Sequence, residues 1–376
     1  MPKGGVLIVS ASTGTGHARA AEALRSAFLA EEPTTRVRHV DLLELAPAWV
    51  RATYGAGYEL MATRAPWLWH QVYRRTDGEG WDRARWSPLA DRLLFRGFRQ
   101  LLLSEPWELC LCTHFLPCQL AAGKRGLPPF ALSITDFTLH RYWVQPGVRR
   151  YFVATDSLAN TLRDRVKGAA IEATGIPIAR DFATPPPRAR AKRSLGLEPS
   201  RPVALVMGGG LGLGITEMVA ACLAGSPPGV QLLAICGRNA SAAEELRSLG
   251  APAERLRVLD YVSGVQNYIA AADVVVTKPG GLTCSEAIAL GRPLLLTRPI
   301  PGQETGNTRA LVSAGAALAA VGGREINGAI AQMFADDGLR RGLSAAARRI
   351  GRPNSARDVA SVLRKDRQRV DLGIAS

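Results

Sequence analysis

The sequence predicts an α/β protein of two similar domains, each a parallel sheet covered by helices, with a ligand cleft between them. Three observations carry this. Apolar runs of strand length alternate with helix-length segments almost from end to end. The rhythm halts once, at a proline-rich basic stretch, and then restarts. Every glycine-rich segment follows an apolar run, at the strand end where open parallel sheets bind ligands.

In the first half, Val6–Val9 reads as a buried strand, Ala18–Leu29 as a helix and Val37–Val40 as a second strand. Leu109–Cys112, Ala131–Ile134 and Tyr151–Ala154 continue the series. Continuous apolar runs, rather than alternating ones, mark strands buried on both faces. The break is Asp181–Ser200, which contains Thr184-Pro185-Pro186-Pro187 and the run from Arg188 to Arg193. Proline fixes φ and removes a donor, so this stretch predicts an interdomain linker. Strands then follow at Val203–Met207, Leu232–Ile235, Arg257–Leu259, Val274–Thr277 and Leu294–Leu296. The resulting division is 1–180, a linker at 181–200, 201–351, and a terminal segment from 352 to 376.

The chain of 376 residues is long enough for two cores, and no run of 18 apolar residues predicts a transmembrane helix. Met1–Val6 leads straight into a strand without the apolar segment of a signal peptide, which predicts a cytoplasmic protein. The six cysteines show no CxxC pairs and no zinc-type spacing, and are expected to be free buried thiols. A net charge of +15 fits a solvated arginine-rich surface, nucleic acid or anionic lipid, and cannot alone choose among them.

Trp49–Arg99 departs from the pattern, holding five of the seven tryptophans interleaved with nine arginines. Rings at headgroup level and cations on lipid phosphate would suit a membrane interface. A helical insertion that buries its tryptophans is the alternative. No nucleic-acid module is visible.

Three glycine-rich segments carry the chemistry. Ser10–His17 joins a strand to a helix, where glycines admit a ligand to the backbone and the helix N-terminus favours negative charge. Position 19 is arginine, so the dinucleotide fingerprint is incomplete, although Asp41 ends the next strand where a ribose-binding acid would sit. His17 on this turn is a candidate base, since a neutral imidazole can take a hydroxyl proton. Met207–Gly214 has glycines at 208, 209, 210, 212 and 214, and its amides suit a diphosphate. The densest constellation is Thr277–Ala287. Thr283 and Glu286 have the spacing of a capping box, which predicts a helix starting near Thr283, and Gly280-Gly281 before it marks an anion site. Glu286 is either the cap itself or a ribose ligand. Gln303, Glu304 and Asn307 offer groups suited to sugar hydroxyls. No Asp-x-Asp is present, so backbone amides and helix dipole, rather than a cation, are expected to hold the diphosphate.

Ser12-x-Gly14-x-Gly16-His17-x-x-Ala20-Ala21, Thr135-Asp136-Phe137-x-x-His140-x-x-Trp143, Tyr151–Ala154, Gly175–Ile178, Thr277–Ala287 and Pro301-Gly302-Gln303-Glu304-x-x-Asn307 together resemble the family of monogalactosyldiacylglycerol synthases and processive diacylglycerol glucosyltransferases. The resemblance is more distant to the N-acetylglucosamine transferase of peptidoglycan lipid precursors. It implies the GT-B fold, two Rossmann-like domains facing a central cleft, and inverting sugar transfer without an active-site metal or other cofactor. It implies His17 as catalytic base and Asp136 as its companion. Gly16, His140, Trp67 and Trp69 fall on the acceptor side. Gly208, Gly209, Gly210, Gly280, Gly281 and Thr283 fall to the diphosphate, Glu286 to the ribose, Val262 to the base, and Gln303, Glu304 and Asn307 to the sugar. The implied partners are a UDP-hexose and diacylglycerol or a related lipid at an anionic membrane surface, with no nucleic acid. The implied place is the cytoplasmic face of the membrane, held peripherally. An undecaprenyl-linked acceptor, a UDP-sugar epimerase, a nicotinamide oxidoreductase and a non-catalytic nucleotide sensor are the competing readings. The family often carries an acid where Arg149-Arg150 stand here, which leaves the local acceptor contacts open.

Overall fold

The computed structural model describes residues 4–12, 14–51, 71, 75, 95–300 and 302–371. Trp67 and Trp69, with most of the tryptophan–arginine segment, lie outside the described residues. The chain divides into two units: Met1–Arg180 with Pro301–Gln303 and Asn354–Ser376, and Asp181–Ile300 with Glu304–Pro353.

The first unit is a six-stranded parallel sheet. Its strands are β1 Gly5–Ser10, β2 Val37–Asp41, β3 Trp107–Cys112, β4 Phe130–Ser133, β5 Val148–Phe152 and β6 Ala170–Glu172. The order is β2-β1-β3-β4-β5-β6. All of β1 is buried, as a central strand covered on both faces must be. Helix α1, Thr15–Glu31, lays Ala21, Leu24 and Phe28 on β1 and β3 through Val6, Ile8, Leu109 and Leu111. Helices α2 (Arg96–Ser104), α3 (Phe115–Ala121) and α4 (Asp156–Arg163) follow in chain order.

The second unit repeats the plan with β7 Val203–Met207, β8 Gln231–Ile235, β9 Leu256–Leu259, β10 Val274–Thr277, β11 Leu294–Thr297 and β12 Ala317–Ala320. Here the order is β12-β11-β10-β7-β8-β9, again six strands and all parallel. Its helices are α5 Arg188–Ser194, α6 Ile215–Gly225, α7 Ala240–Ser248, α8 Val265–Ala271, α9 Gly281–Ala289, α10 Gln303–Ser313, α11 Gly323–Ala335 and α12 Asp337–Ile350. Met218 and Val219 of α6 and Ile326, Ile330 and Met333 of α11 bury against Val206, Val274 and Leu295.

Helix α13, Ser355–Asp371, packs in the first unit's core through Val359, Ala360 and Leu363. Arg367 on it donates to Glu108 at 2.6 Å and to Glu32 at 2.9 Å. The Ser355 hydroxyl accepts from the Ile178 amide at 3.2 Å.

Three sequence expectations change. Residues 181–200, predicted as a linker, contain α5 and belong to the second unit. The buried Lys192 ammonium there meets Asp273 at 2.9 Å and the Arg201 carbonyl at 2.8 Å, which fixes the segment. The helix predicted near Thr283 begins at Gly281, with Gly280 as its N-cap and no side-chain cap. The capping box is therefore not formed, and Thr283 sits third in the helix. Strand β5 begins at Val148, three residues before the predicted Tyr151, and carries Arg149 and Arg150 inside it. Arg150 pairs with Glu172 of β6 at 3.0 Å and Asp366 of α13 at 2.7 Å, so its charge is spent within the unit. All six cysteines are free and buried. Among the described residues no helix is long and apolar enough to cross a membrane.

Candidate active site

The first sheet reverses its direction of growth between β1 and β3, since β2 lies on one side of β1 and the later strands on the other. Loops diverge at such a switch point and leave room for a ligand beyond the strand ends. His17 lies in the first turn of α1, just after β1, and Thr113 and His114 follow β3. Thr135 and Asp136 follow β4, the next strand.

His17 Nδ1 lies 2.8 Å from the Thr113 carbonyl oxygen. A carbonyl only accepts, so Nδ1 carries the ring proton and the neutral ring's lone pair is on Nε2. The Thr135 hydroxyl oxygen stands 3.0 Å from the same Nδ1, and the Thr113 hydroxyl donates to the His17 carbonyl at 3.0 Å. Burial lowers the His17 pKa below 6.5, opposed by the charge of Asp136, the Thr113 carbonyl and the charge of Asp41. The net result is an imidazole that is mostly neutral near pH 7 and so able to accept a proton. Asp136 itself accepts from the Trp143 indole at 3.2 Å and acts on His17 through its charge.

Sequence reasoning missed Thr113 and His114. The His114 ring meets His17 edge-on, centroids 4.8 Å apart, and stacks on Phe115 at 4.2 Å. Its Nδ1 accepts from the Leu116 amide and caps α3, so the neutral ring's proton is on Nε2. Burial, and then the neighbouring His17, hold its pKa well below 6.5. A signal was present: His114 follows the apolar run Leu109–Cys112, as the glycine turn bearing His17 follows the first strand. His140 is buried and caps a short 3-10 turn, with Nδ1 accepting from the Tyr142 amide at 3.1 Å. Gly16 stands beside His17 in α1. Asp41 is used locally, accepting from the Ser12 and Leu43 amides at 3.3 and 2.9 Å and from the Ser12 hydroxyl. Holding the glycine turn in this way counts against its service as a ribose acid for a nicotinamide cofactor.

The second sheet switches between β7 and β10, and two of the glycine segments follow these two strands. Within Gly208–Gly214, packing explains part of the composition. A Cβ on Gly212 would lie 2.0 Å from the Cys236 carbonyl, and Gly212 has φ +62°. A Cβ on Gly209 would meet nothing within 4 Å. The Gly210 carbonyl accepts from the Arg238 amide. After β10, the first intrahelical bond of α9 runs from the Cys284 amide to the Gly280 carbonyl at 3.1 Å. The amides of Gly281, Leu282 and Thr283 therefore precede the helical ladder at an N-terminus that favours anions. Gly280 borders open space.

Glu286 is buried in α9, and Glu304 and Asn307 are buried in α10. The Asn307 amide donates to the Pro279 carbonyl at 3.1 Å and so ties α10 to the loop after β10. Glu304 accepts from the Ile300 amide at 2.6 Å and stands 3.8 Å from the Lys278 ammonium. Burial, and then the charges of Glu304 and Glu286, push the Cys284 thiol up. Gln303 is half-buried at the start of α10. Val262 lies in the loop after β9, two strands from β7, beside the exposed Tyr261.

Residues 17–178 match the family model described as monogalactosyldiacylglycerol (MGDG) synthase, and residues 203–321 match the glycosyltransferase family 28 C-terminal domain. Each of the two matches covers less than half of the chain. The first matched range contains the His17 site, and the second contains the glycine turn and α9. A processive diacylglycerol beta-glucosyltransferase of Bacillus pumilus is 35% identical over 51% of this chain and 50% of its own length. A probable chloroplastic monogalactosyldiacylglycerol synthase of Nicotiana tabacum is 29% identical over 93% of this chain and 68% of its own. The chain thus spans about half the length of the Bacillus relative. Among solved structures, MurG of Acinetobacter baumannii superposes with a TM-score of 0.60 at 16% identity, covering 96% of this chain and 100% of MurG. At that identity the likeness shows the fold, which is the two-domain GT-B architecture of glycosyltransferases.

Proposed function

We propose that the chain is an inverting glycosyltransferase that moves a hexose, galactose or glucose, from a UDP-sugar to diacylglycerol at a membrane surface. The observation that carries this is His17. Its Nδ1 is held on the Thr113 carbonyl, so its Nε2 is free to take a proton. The acceptor hydroxyl passes its proton to Nε2, and its oxygen attacks the anomeric carbon from the face opposite UDP. The bond from that carbon to the diphosphate breaks, and UDP leaves with the electron pair. The first-turn amides of α9 and the turn after β7 stabilise the leaving charge, as oriented dipoles do without reorganisation. No metal is assigned a part.

The relatives' names support the lipid acceptor, and both relatives quoted above are named as diacylglycerol-linked enzymes. A net charge of +15 suits attraction to the anionic cytoplasmic leaflet, where the protein is proposed to bind peripherally. The test is incubation with diacylglycerol vesicles and a panel of UDP-hexoses. Lipid-dependent UDP release with a new glycolipid supports the proposal. Epimerised nucleotide sugar formed without lipid would overturn it, and so would transfer confined to an undecaprenyl-linked acceptor.

A further inference from the structure

Among the described residues Arg298 alone, apart from glycines, has positive φ, +49°. It immediately precedes Pro299, and a residue before proline is steered to extended conformations, so the left-handed geometry runs against both its own Cβ and its neighbour. The position is equally particular. Arg298 directly follows β11, and the sheet order β11-β10-β7 puts the end of β10, with Gly280-Gly281, between it and the turn after β7. The side chain nonetheless reaches that turn. Its Nε, Cδ and Cζ lie 3.2, 3.3 and 3.7 Å from where a Cβ on Gly214 would stand. Gly214 is the N-cap of α6.

A guanidinium at a helix N-terminus is the wrong sign for the helix dipole. Here the carboxylate of Glu217, in the first turn of α6, offsets it by pairing with Arg298. The Arg298 side chain is 41% exposed and that of Glu217 66%, so the pair is not a buried structural lock. A planar guanidinium donates to carboxylate and phosphate oxygens with the same fork geometry.

We infer that Arg298 is the cation that binds the donor's diphosphate across the β7–β10 switch point, and that Glu217 competes with the diphosphate for it. The inference rests on the nucleotide-sugar reading of this unit. It assigns the neutralising charge to a side chain outside every motif of the sequence, and it predicts that the two partners act in opposite directions.

The test is calorimetric titration of the full chain with UDP and with uridine, for the wild type, Arg298→Asn, Arg298→Lys and Glu217→Gln. Asparagine tolerates the left-handed region, so Arg298→Asn removes the charge while keeping the backbone, and circular dichroism checks the fold. The expected result is about tenfold weaker UDP binding for Arg298→Asn, only part of it restored by the point charge of Arg298→Lys, with uridine unchanged. Glu217→Gln should bind UDP several-fold more tightly. UDP affinity of Arg298→Asn within about twofold of wild type would overturn the inference, and so would Glu217→Gln weakening UDP like Arg298→Asn, the mark of a structural pair. If the wild type binds UDP no better than uridine, the donor reading itself falls and takes this inference with it.

Discussion

The two units share a strand plan and differ in what they place at the switch point. In the first, side chains converge: His17, His114, Thr113, Thr135 and Asp136 come from the ends of three adjacent strands. In the second, backbone does most of the work, through the turn after β7 and the amides that open α9. The difference fits the two chemical tasks proposed for the units. A proton acceptor needs a tuned pKa, which burial and nearby charges supply. A diphosphate needs several donors at short range, which glycine-lined backbone supplies.

The contrast is broken most severely by adding one methyl group in the second unit. Gly212→Ala would drive a Cβ into the Cys236 carbonyl at a positive φ, and we expect a loss of about 3 kcal/mol in denaturant unfolding of that unit. His17→Ala in the first unit should instead leave unfolding nearly unchanged and cut turnover by roughly 10²-fold, read at saturating donor and lipid. Comparable stability losses from the two would erase the distinction.

Acidity sharpens it further. His17, His39 and His114 all have pKa values lowered below 6.5, in each case chiefly by burial. The unfolded chain therefore binds more protons than the native one once pH falls through 6.5. Stability is fully present above that pH and is lost below it. All three residues are in the first unit, so its unfolding midpoint should fall between pH 8 and 5.5 more than that of the second. Turnover should likewise lose its base only at a pH below the ordinary histidine value, which a pH–rate profile would show. Gly280→Ala is the mildest probe. Its φ of −67° suits alanine and a Cβ would meet nothing, so stability should move by less than about 0.5 kcal/mol. Donor affinity should nevertheless fall several-fold, because the methyl group would stand beside the first-turn amides of α9.

Most of the fold was legible because its central strands are unbroken apolar runs. Val203–Met207 and Val274–Thr277 are observed at the predicted residues. Edge strands β6 and β12 were not legible, since Ala170–Glu172 is short and partly exposed and Ala317–Ala320 is alanine-rich, without β-branched residues. The start of β5 was hidden by Arg149 and Arg150, whose polarity reads as a loop until their partners in space are known. Of the candidate site, the glycine segments stood out in sequence because backbone chemistry leaves a local composition. His114, Thr113 and Arg298 did not, because each acquires its setting from a different strand end.

One measurement bears most directly on a single base acting opposite the leaving group. It is the anomeric configuration of the glycolipid formed from an α-linked UDP-hexose on diacylglycerol vesicles, read by proton NMR. Direct displacement assisted by His17 predicts a β-linked product. An α-linked product would contradict it.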